Sequence, residues 1–138
     1  MQRAAIDAKP ARILVIDDDQ ALLRMLRLSM ASEGLDVATA RDGVEGLREL
    51  ETSAYDVIVL DLQMPRLDGR AFFREMTSRG HNPPVVVLSA YGAEQARREL
   101  KAAAAVPKPF DPDDLIETVC RVVSRKQDSA PRSHPLSG

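Results

Sequence analysis

The sequence predicts an α/β protein built on one doubly wound, parallel sheet of five strands with helices on both faces. Five short apolar segments alternate along the chain with five segments of helical periodicity. Two of the apolar segments, 57–60 and 85–88, are continuously apolar and rich in β-branched residues, which is typical of strands buried on both faces. Acidic, hydroxyl or basic residues directly follow several of these segments, as at the carboxyl edge of an open α/β sheet.

The first half of the chain predicts three strands and two helices. Residues 12–16 form a short apolar segment that is typical of a buried strand. Asp19 can cap the helix that follows, and Gly34 ends that helix. Residues 35–40 form a weaker second strand, and residues 57–60 form the third. The apolar positions that mark the two helices are Leu22, Leu23, Leu26 and Met30 in the first and Val44, Leu47 and Leu50 in the second.

The second half of the chain alternates in the same way. A turn at 68–69 opens a third helix, and two prolines at 83–84 break the chain before a fourth strand. Asp111, followed by a proline and two acidic residues, starts the fifth helix, because acids favour the positive end of the helix dipole. The predicted bounds are 85–88 for the fourth strand, 93–102 for the fourth helix and 103–106 for a weak fifth strand; the last helix carries an apolar stripe of Leu115, Ile116, Val119, Val122 and Val123.

The chain length of 138 residues suits a single domain with a substantial core. Residues 1–10 are expected to form a flexible lead-in and residues 11–126 the folded domain. Residues 127–138 are rich in Ser, Pro and Gly, so we expect a disordered tail.

Composition excludes several functional classes. The net charge of −2 does not indicate a nucleic-acid-binding or anionic-membrane-binding surface. The single cysteine, Cys120, excludes an internal disulfide and lies among valines, so we expect a core or boundary position. No apolar run approaches the roughly twenty residues of a membrane span, and the first ten residues lack the apolar region of a secretory signal. These observations predict a cytoplasmic protein.

Polar residues at the predicted strand ends carry the chemistry. Asp17 and Asp18 follow the first strand, Asp61 the third, Ser89 the fourth and Lys108 the fifth. If these strands are parallel neighbours, all five side chains meet at one edge of the sheet. Carboxylates suit a divalent cation, and a hydroxyl and an ammonium suit phosphoryl oxygens.

Four segments carry a resemblance to a known family. They are Ile16-Asp17-Asp18-Asp19, Leu60 to Gly69, Leu88-Ser89-Ala90-Tyr91-Gly92 and Lys108-Pro109-Phe110. In this order and spacing they resemble the receiver domain of two-component response regulators, the CheY-like family with a flavodoxin-like (βα)5 fold. The resemblance extends from Arg12 to about Arg125, nearly the whole predicted domain.

The resemblance implies a role for each residue at the sheet edge. Asp61 would accept a phosphoryl group, which a carboxylate nucleophile can do. Ser89 and Lys108 would contact the phosphoryl oxygens and contribute electrostatically to catalysis. The family also implies a cis peptide bond between Lys108 and Pro109. The implied ligands of a Mg²⁺ cofactor are Asp18 directly, Asp17 largely through water, the Asp61 carboxylate and the backbone carbonyl of Gln63.

The implied function is a phosphorylation-dependent signalling switch, not an enzyme beyond its own phosphorylation and dephosphorylation. A sensor histidine kinase or phosphotransfer protein would donate the group, and output would pass to a protein partner, a fused effector domain or a phosphorylation-dependent dimer. Ser89, Tyr91 and Ala105 are the expected switch positions. Ala105 stands where the family often carries Tyr or Phe, so the usual aromatic switch is missing. Tyr91, two residues past Ser89, is the largest side chain available to register the change.

Two alternatives remain open at this point. The first is a pseudo-receiver, an interaction module that is never phosphorylated, which the departure at Ala105 keeps open. The second is a phosphatase of the haloacid-dehalogenase type, for which the run Asp17-Asp18-Asp19 could supply paired aspartates. In that family Thr or Val usually follows where this chain has Gln20, and the Met64-Pro65 loop would have no explanation. Turnover of a generic phosphate ester separates the phosphatase from the switch.

Overall fold

The computed structural model describes residues 9–64 and 66–129, which form ten alternating elements. The strands are β1 (Arg12–Ile16), β2 (Asp36–Ala40), β3 (Val57–Asp61), β4 (Val85–Ser89) and β5 (Ala104–Pro107). The helices are α1 (Gln20–Ser32), α2 (Gly43–Thr52), α3 (Gly69–Ser78), α4 (Ala93–Leu100) and α5 (Pro112–Ser129).

The five strands form one parallel sheet in the order β2-β1-β3-β4-β5, which confirms the predicted fold class. β1 and β3 lie inside the sheet, so Leu14 pairs with both Ala38 and Ile58. Every residue of β3 and of β4 is buried, as their continuous apolar runs predict. The strand order reverses beside β1, and open α/β sheets bind ligands at such a point.

Two apolar layers cover the sheet. On one face, Ile58 and Leu60 pack in a cluster with residues of α2, α3 and α4 that includes the fully buried Phe72. On the other face, Val57 and Val59 pack with α1 and α5. Successive strand residues point to opposite faces, so one apolar strand contributes to both layers. Within the part of the chain that the structure describes, no helix is both long and apolar enough to span a bilayer.

Helix caps place the loops that follow the strands. The Asp19 carboxylate accepts a hydrogen bond from Leu22 N at 3.1 Å, as the sequence predicts, so α1 begins three residues after Asp17. Asp68 caps α3 by accepting from Ala71 N at 2.8 Å. The next residue, Gly69, lies where the backbone of α3 closely approaches the backbone of β3. A Cβ at this position would lie 2.6 Å from the Asp61 carbonyl oxygen, so only glycine fits without a shift. The start of α3 is therefore held against the end of β3.

Besides shifts of one or two residues at the ends of β2, β3, β4, α4 and β5, two expectations differ from the structure. The disordered tail was expected from residue 127, but α5 continues to Ser129. Composition indicates where apolar burial stops, whereas a helix can continue through polar residues for another turn. Cys120 is exposed and not part of the core, because it is turned about 100° around α5 from the buried Val119. Residues 1–8 and 130–138, which carry most of the predicted lead-in and tail, lie outside the described residues.

Candidate functional site

The carboxyl edge of the sheet brings the predicted site residues together. Asp17 follows β1, Asp61 and Ser89 end β3 and β4, and Lys108 follows β5. Asp17 and Ser89 are fully buried and Asp61 is 2% exposed. Among the side chains described in residues 9–64 and 66–126, these three are the buried polar or charged ones, and all lie at this edge. Burial of polar groups is costly without partners, so their contacts define the chemistry of the site.

Three carboxylates form an acidic cluster. One oxygen from each of Asp17, Asp18 and Asp61 lies within 4.8 Å of the others. Asp18 is exposed at the mouth of the site, whereas the other two are buried. The buried position raises the pKa of Asp61 to about 6, first through desolvation and then through the charge of Asp17. A hydrogen bond from Gln63 N to Asp61 Oδ1, at 3.2 Å, acts in the opposite direction.

Lys108 supplies the positive charge of the site. Its Nζ lies 2.9 Å from Asp17 Oδ2 and 3.5 Å from Asp61 Oδ1. Burial by itself lowers the pKa of Lys108. The hydrogen bonds and negative charges of Asp17 and Asp61 raise the pKa by more than burial lowers it, so the net pKa lies above the ordinary value. The Lys108–Pro109 peptide bond is cis, as the family resemblance implies.

The acidic cluster fits a divalent cation. Three ionised carboxylates and one ammonium leave a formal charge of −2 at the site, which one divalent ion would neutralise. The donors are hard oxygen atoms, which Mg²⁺ prefers, and exposed Asp18 leaves room for bound water. Gln63 lies two residues beyond Asp61, and its backbone N–H already contacts that carboxylate. The role of its carbonyl as a ligand stays a prediction.

Ser89 is engaged with its own loop rather than with Asp61. Its hydroxyl donates to the Tyr91 carbonyl oxygen at 2.6 Å and accepts from Tyr91 N at 3.1 Å. It also accepts from Gln63 Nε2 at 3.0 Å. The sequence interpretation used only the backbone of Gln63 and missed its side chain. The available signal was a long amide side chain two residues after Asp61, at the edge that also holds Ser89.

The expected output positions differ in exposure. The Tyr91 side chain is 82% exposed, and its backbone holds the Ser89 hydroxyl. Ala105 is partly buried in β5 and packs against the core cluster that contains Phe72. The structure therefore places a large ring in solvent on the loop after β4 and a small side chain at the expected aromatic position.

Comparisons with known proteins agree with this geometry. The family model described as "Response regulator receiver domain" matches residues 13–120. The response regulator MprA of Mycobacterium sp. (strain KMS) is 38% identical over 132 residues, which cover 93% of this chain and 57% of that protein. This chain thus spans little more than half the length of that curated relative.

Solved structures give the same result. The receiver domain of Francisella response regulator 1452 has 33% identity and a TM-score of 0.77, and the match covers 84% of this chain and 98% of that one. The Thermotoga maritima response regulator TrrA, solved in complex with Mg²⁺-BeF, has 29% identity and a TM-score of 0.71 over 81% of this chain and 98% of that one. Neither the pseudo-receiver nor the phosphatase alternative is favoured by these matches.

The acidic cluster, Ser89 and Lys108 meet at the carboxyl edge of a five-stranded parallel sheet, and a family model matches most of the chain. The chain belongs to the receiver domain family of two-component response regulators.

Proposed function

We propose that this receiver domain is a switch that accepts a phosphoryl group on Asp61. The observation that supports this most directly is the position of Asp61, which is 2% exposed, close to Asp17 and Asp18, and 3.5 Å from the Lys108 ammonium. A carboxylate with a pKa of about 6 is mostly ionised at neutral pH and is therefore available as a nucleophile. No catalysis beyond its own phosphorylation and dephosphorylation is proposed.

In the proposed reaction, an Asp61 carboxylate oxygen attacks the phosphorus of the donor and the bond to the leaving group breaks. The Lys108 ammonium, already within 3.5 Å of Asp61, lies where it can pair with a phosphoryl oxygen. The Ser89 hydroxyl donates to another oxygen once it leaves the Tyr91 carbonyl. Mg²⁺ held by Asp17, Asp18, Asp61 and the Gln63 carbonyl would offset the repulsion between carboxylates and phosphoryl oxygens.

The partners follow from the same proposal. A sensor histidine kinase or a phosphotransfer protein would donate the phosphoryl group. Output would pass to a protein partner, to an effector domain fused to the receiver, or to a second copy of the phosphorylated chain. Ser89 would move toward the new phosphoryl group, and the Tyr91 ring would change position with the loop after β4.

Intact-mass measurement with acetyl phosphate and Mg²⁺ tests the proposal. We expect the parent chain to gain one phosphoryl group and Asp61→Asn to gain none. Asp68→Asn is the matched control, because Asp68 is an exposed cap of α3, and it should be labelled like the parent. Undiminished labelling of Asp61→Asn would reject the assignment. A parent chain that gains no mass would favour the pseudo-receiver, and hydrolysis of many equivalents of a generic phosphate ester would favour the phosphatase.

A further inference from the structure

The Gln63 side chain joins the loop after β3 to the loop after β4. Ala90 N donates to Gln63 Oε1 at 3.1 Å, and Gln63 Nε2 donates to Ser89 Oγ at 3.0 Å. A backbone N–H can only donate, so Oε1 is the amide atom that faces Ala90 and Nε2 is the atom that faces Ser89. We call this two-point contact of Gln63 with Ser89 and Ala90 the amide clasp.

The amide clasp and the Tyr91 backbone together leave the Ser89 hydroxyl with no spare hydrogen-bonding capacity. A hydroxyl has one hydrogen to donate and two lone pairs that accept. In this structure the hydrogen goes to the Tyr91 carbonyl oxygen at 2.6 Å, and the lone pairs accept from Tyr91 N and Gln63 Nε2. The single alternative acceptor described for that hydrogen is Gln63 Oε1 at 3.4 Å, which belongs to the same clasp.

Two hydrogen-bond donors, the Ser89 O–H and the Ala90 N–H, lie at the edge where a phosphoryl group would arrive. Asp61 pairs with Leu88 in the sheet, so Ser89 and Ala90 directly follow the residue beside the acceptor. A phosphoryl group brings three strong acceptor oxygens to this edge. While the clasp holds, the Ser89 O–H is given to Tyr91 and the Ala90 N–H to Gln63.

We propose that the amide clasp holds the loop after β4 in its unphosphorylated arrangement. A phosphoryl group on Asp61 would take the Ala90 N–H from Gln63 Oε1 and the Ser89 O–H from the Tyr91 carbonyl oxygen, and this would break both contacts of the Gln63 amide. The displacement rests on the proposed function, whereas the clasp is a property of the unphosphorylated chain. Hydrogen bonds to a charged phosphoryl oxygen are stronger than those to a neutral amide. Gln63 is exposed, so water can solvate the released amide. Gln63 is therefore a positioning residue that opposes activation.

The first arm of the test measures the clasp without phosphate or metal. Gln63→Met keeps the side-chain length but removes both amide contacts and leaves the backbone carbonyl in place. Residue-resolved amide hydrogen exchange should show the Ala90 N–H exchanging about tenfold faster in this variant, as expected for the loss of one hydrogen bond. Gln95→Met is the matched control, since the Gln95 amide contacts Glu99 on α4, away from the site, and its Ala90 exchange should equal that of the parent.

The second arm measures competition between the amide clasp and a phosphoryl analogue bound at Asp61. With Mg²⁺ present, beryllofluoride should bind about fivefold more tightly to Gln63→Met than to the parent, because no clasp contacts have to break. The Gln95→Met control should bind as the parent does. Unchanged Ala90 exchange in Gln63→Met, or beryllofluoride binding that is equal or weaker, would overturn the proposal. If the parent binds no beryllofluoride and gains no phosphoryl group, the proposed function fails, and Ala90 exchange alone decides whether the clasp exists.

Discussion

Lys108 makes its shorter ion pair with Asp17, at 2.9 Å, although the two residues are 91 positions apart in the chain. The contact from the same ammonium to the proposed acceptor Asp61 is longer, at 3.5 Å. Asp17 is fully buried and accepts a hydrogen bond from Asp19 N at 3.0 Å, and the ion pair with Lys108 offsets its negative charge in the protein interior. The lysine therefore stabilises the acidic cluster before any phosphoryl group is present.

The first prediction concerns this ion pair. Lys108→Met keeps most of the aliphatic chain but leaves Asp17 and Asp61 buried without a cation, so in the absence of Mg²⁺ we expect a loss of about 3 kcal/mol in the free energy of unfolding. Mg²⁺ should restore part of the loss and bind more tightly than in the parent. Lys126→Met is the control, because Lys126 pairs with Asp56 at the exposed surface and its loss should cost under about 1 kcal/mol. Equal costs in denaturant melts of both variants would contradict the prediction.

The second prediction concerns the pH dependence of stability. The folded-state pKa of Asp61, about 6, lies above its ordinary value of 3.8, so the folded chain binds this proton more tightly than the unfolded chain. The resulting stabilisation is present below about pH 4 and is lost as the pH rises through about 6. In metal-free buffer that contains a chelator, at a pH above about 7, Asp61→Asn should raise the free energy of unfolding by on the order of 2 kcal/mol. This gain should vanish below about pH 4. A variant less stable than the parent at neutral pH would refute this.

The third prediction concerns the Mg²⁺ ligands. Asp18 is the exposed member of the acidic cluster, so Asp18→Asn should fold normally but bind Mg²⁺ about tenfold or more weakly. The Mg²⁺-dependent rise in Tm should shrink accordingly. Asp19→Asn is a neighbouring control that keeps a capping side chain on α1. Asp18 is not a ligand if both variants show the Mg²⁺-dependent shift of the parent.

The fourth prediction concerns output. Tyr91 holds Ser89 through backbone atoms, and its ring is 82% exposed, so Tyr91→Ala should leave phosphorylation of Asp61 intact. We expect the variant to lose much of the phosphorylation-dependent gain in dimerisation, measured by sedimentation with acetyl phosphate and Mg²⁺, or in binding to the downstream partner. The aspartyl-phosphate lifetime is measured in parallel. A shorter aspartyl-phosphate lifetime, with an unchanged phosphorylation-dependent gain in dimerisation or partner binding, would show that the ring only shields the phosphoryl group from water.

The fifth prediction concerns the packing that holds Asp61, the proposed acceptor. In Gly69→Ala the new Cβ would lie 2.6 Å from the Asp61 carbonyl oxygen and from Leu62 Cα, and backbone atoms cannot rotate away. We expect a loss of about 1–3 kcal/mol in stability and slower labelling of Asp61. Gly46→Ala is the comparison variant, because a Cβ there would meet side-chain atoms, Ile16 Cδ1 at 2.6 Å and Phe72 Cε1 at 2.9 Å, and no backbone. Alanine also favours the interior of α2, so its loss in stability should be smaller. Denaturant melts compare the two, and equal losses would argue against a special role for the backbone contact at Gly69.

Much of the fold could be predicted because its signals are local. The apolar runs that become β1, β3 and β4 have the length and β-branched composition of buried strands, and each ends within a residue of the predicted position. Asp19 was predicted as a helix cap because capping depends on a few neighbouring residues. Exposure of Cys120 was predicted wrongly, because nearby valines do not show which side of a helix faces the core.

The sequence by itself determined the order of the elements and the set of polar residues at the carboxyl edge, because residues at the ends of parallel strands share that edge wherever the strands pair. Only the tertiary structure decided how those residues are connected. Distances and burial across several strands set three features of the site. They are the shorter ion pair of Lys108 with Asp17, the raised pKa of Asp61 and the hydrogen bond from Gln63 to Ser89. These partners are up to 91 residues apart in the chain, and no local pattern specifies ångström distances or desolvation between them.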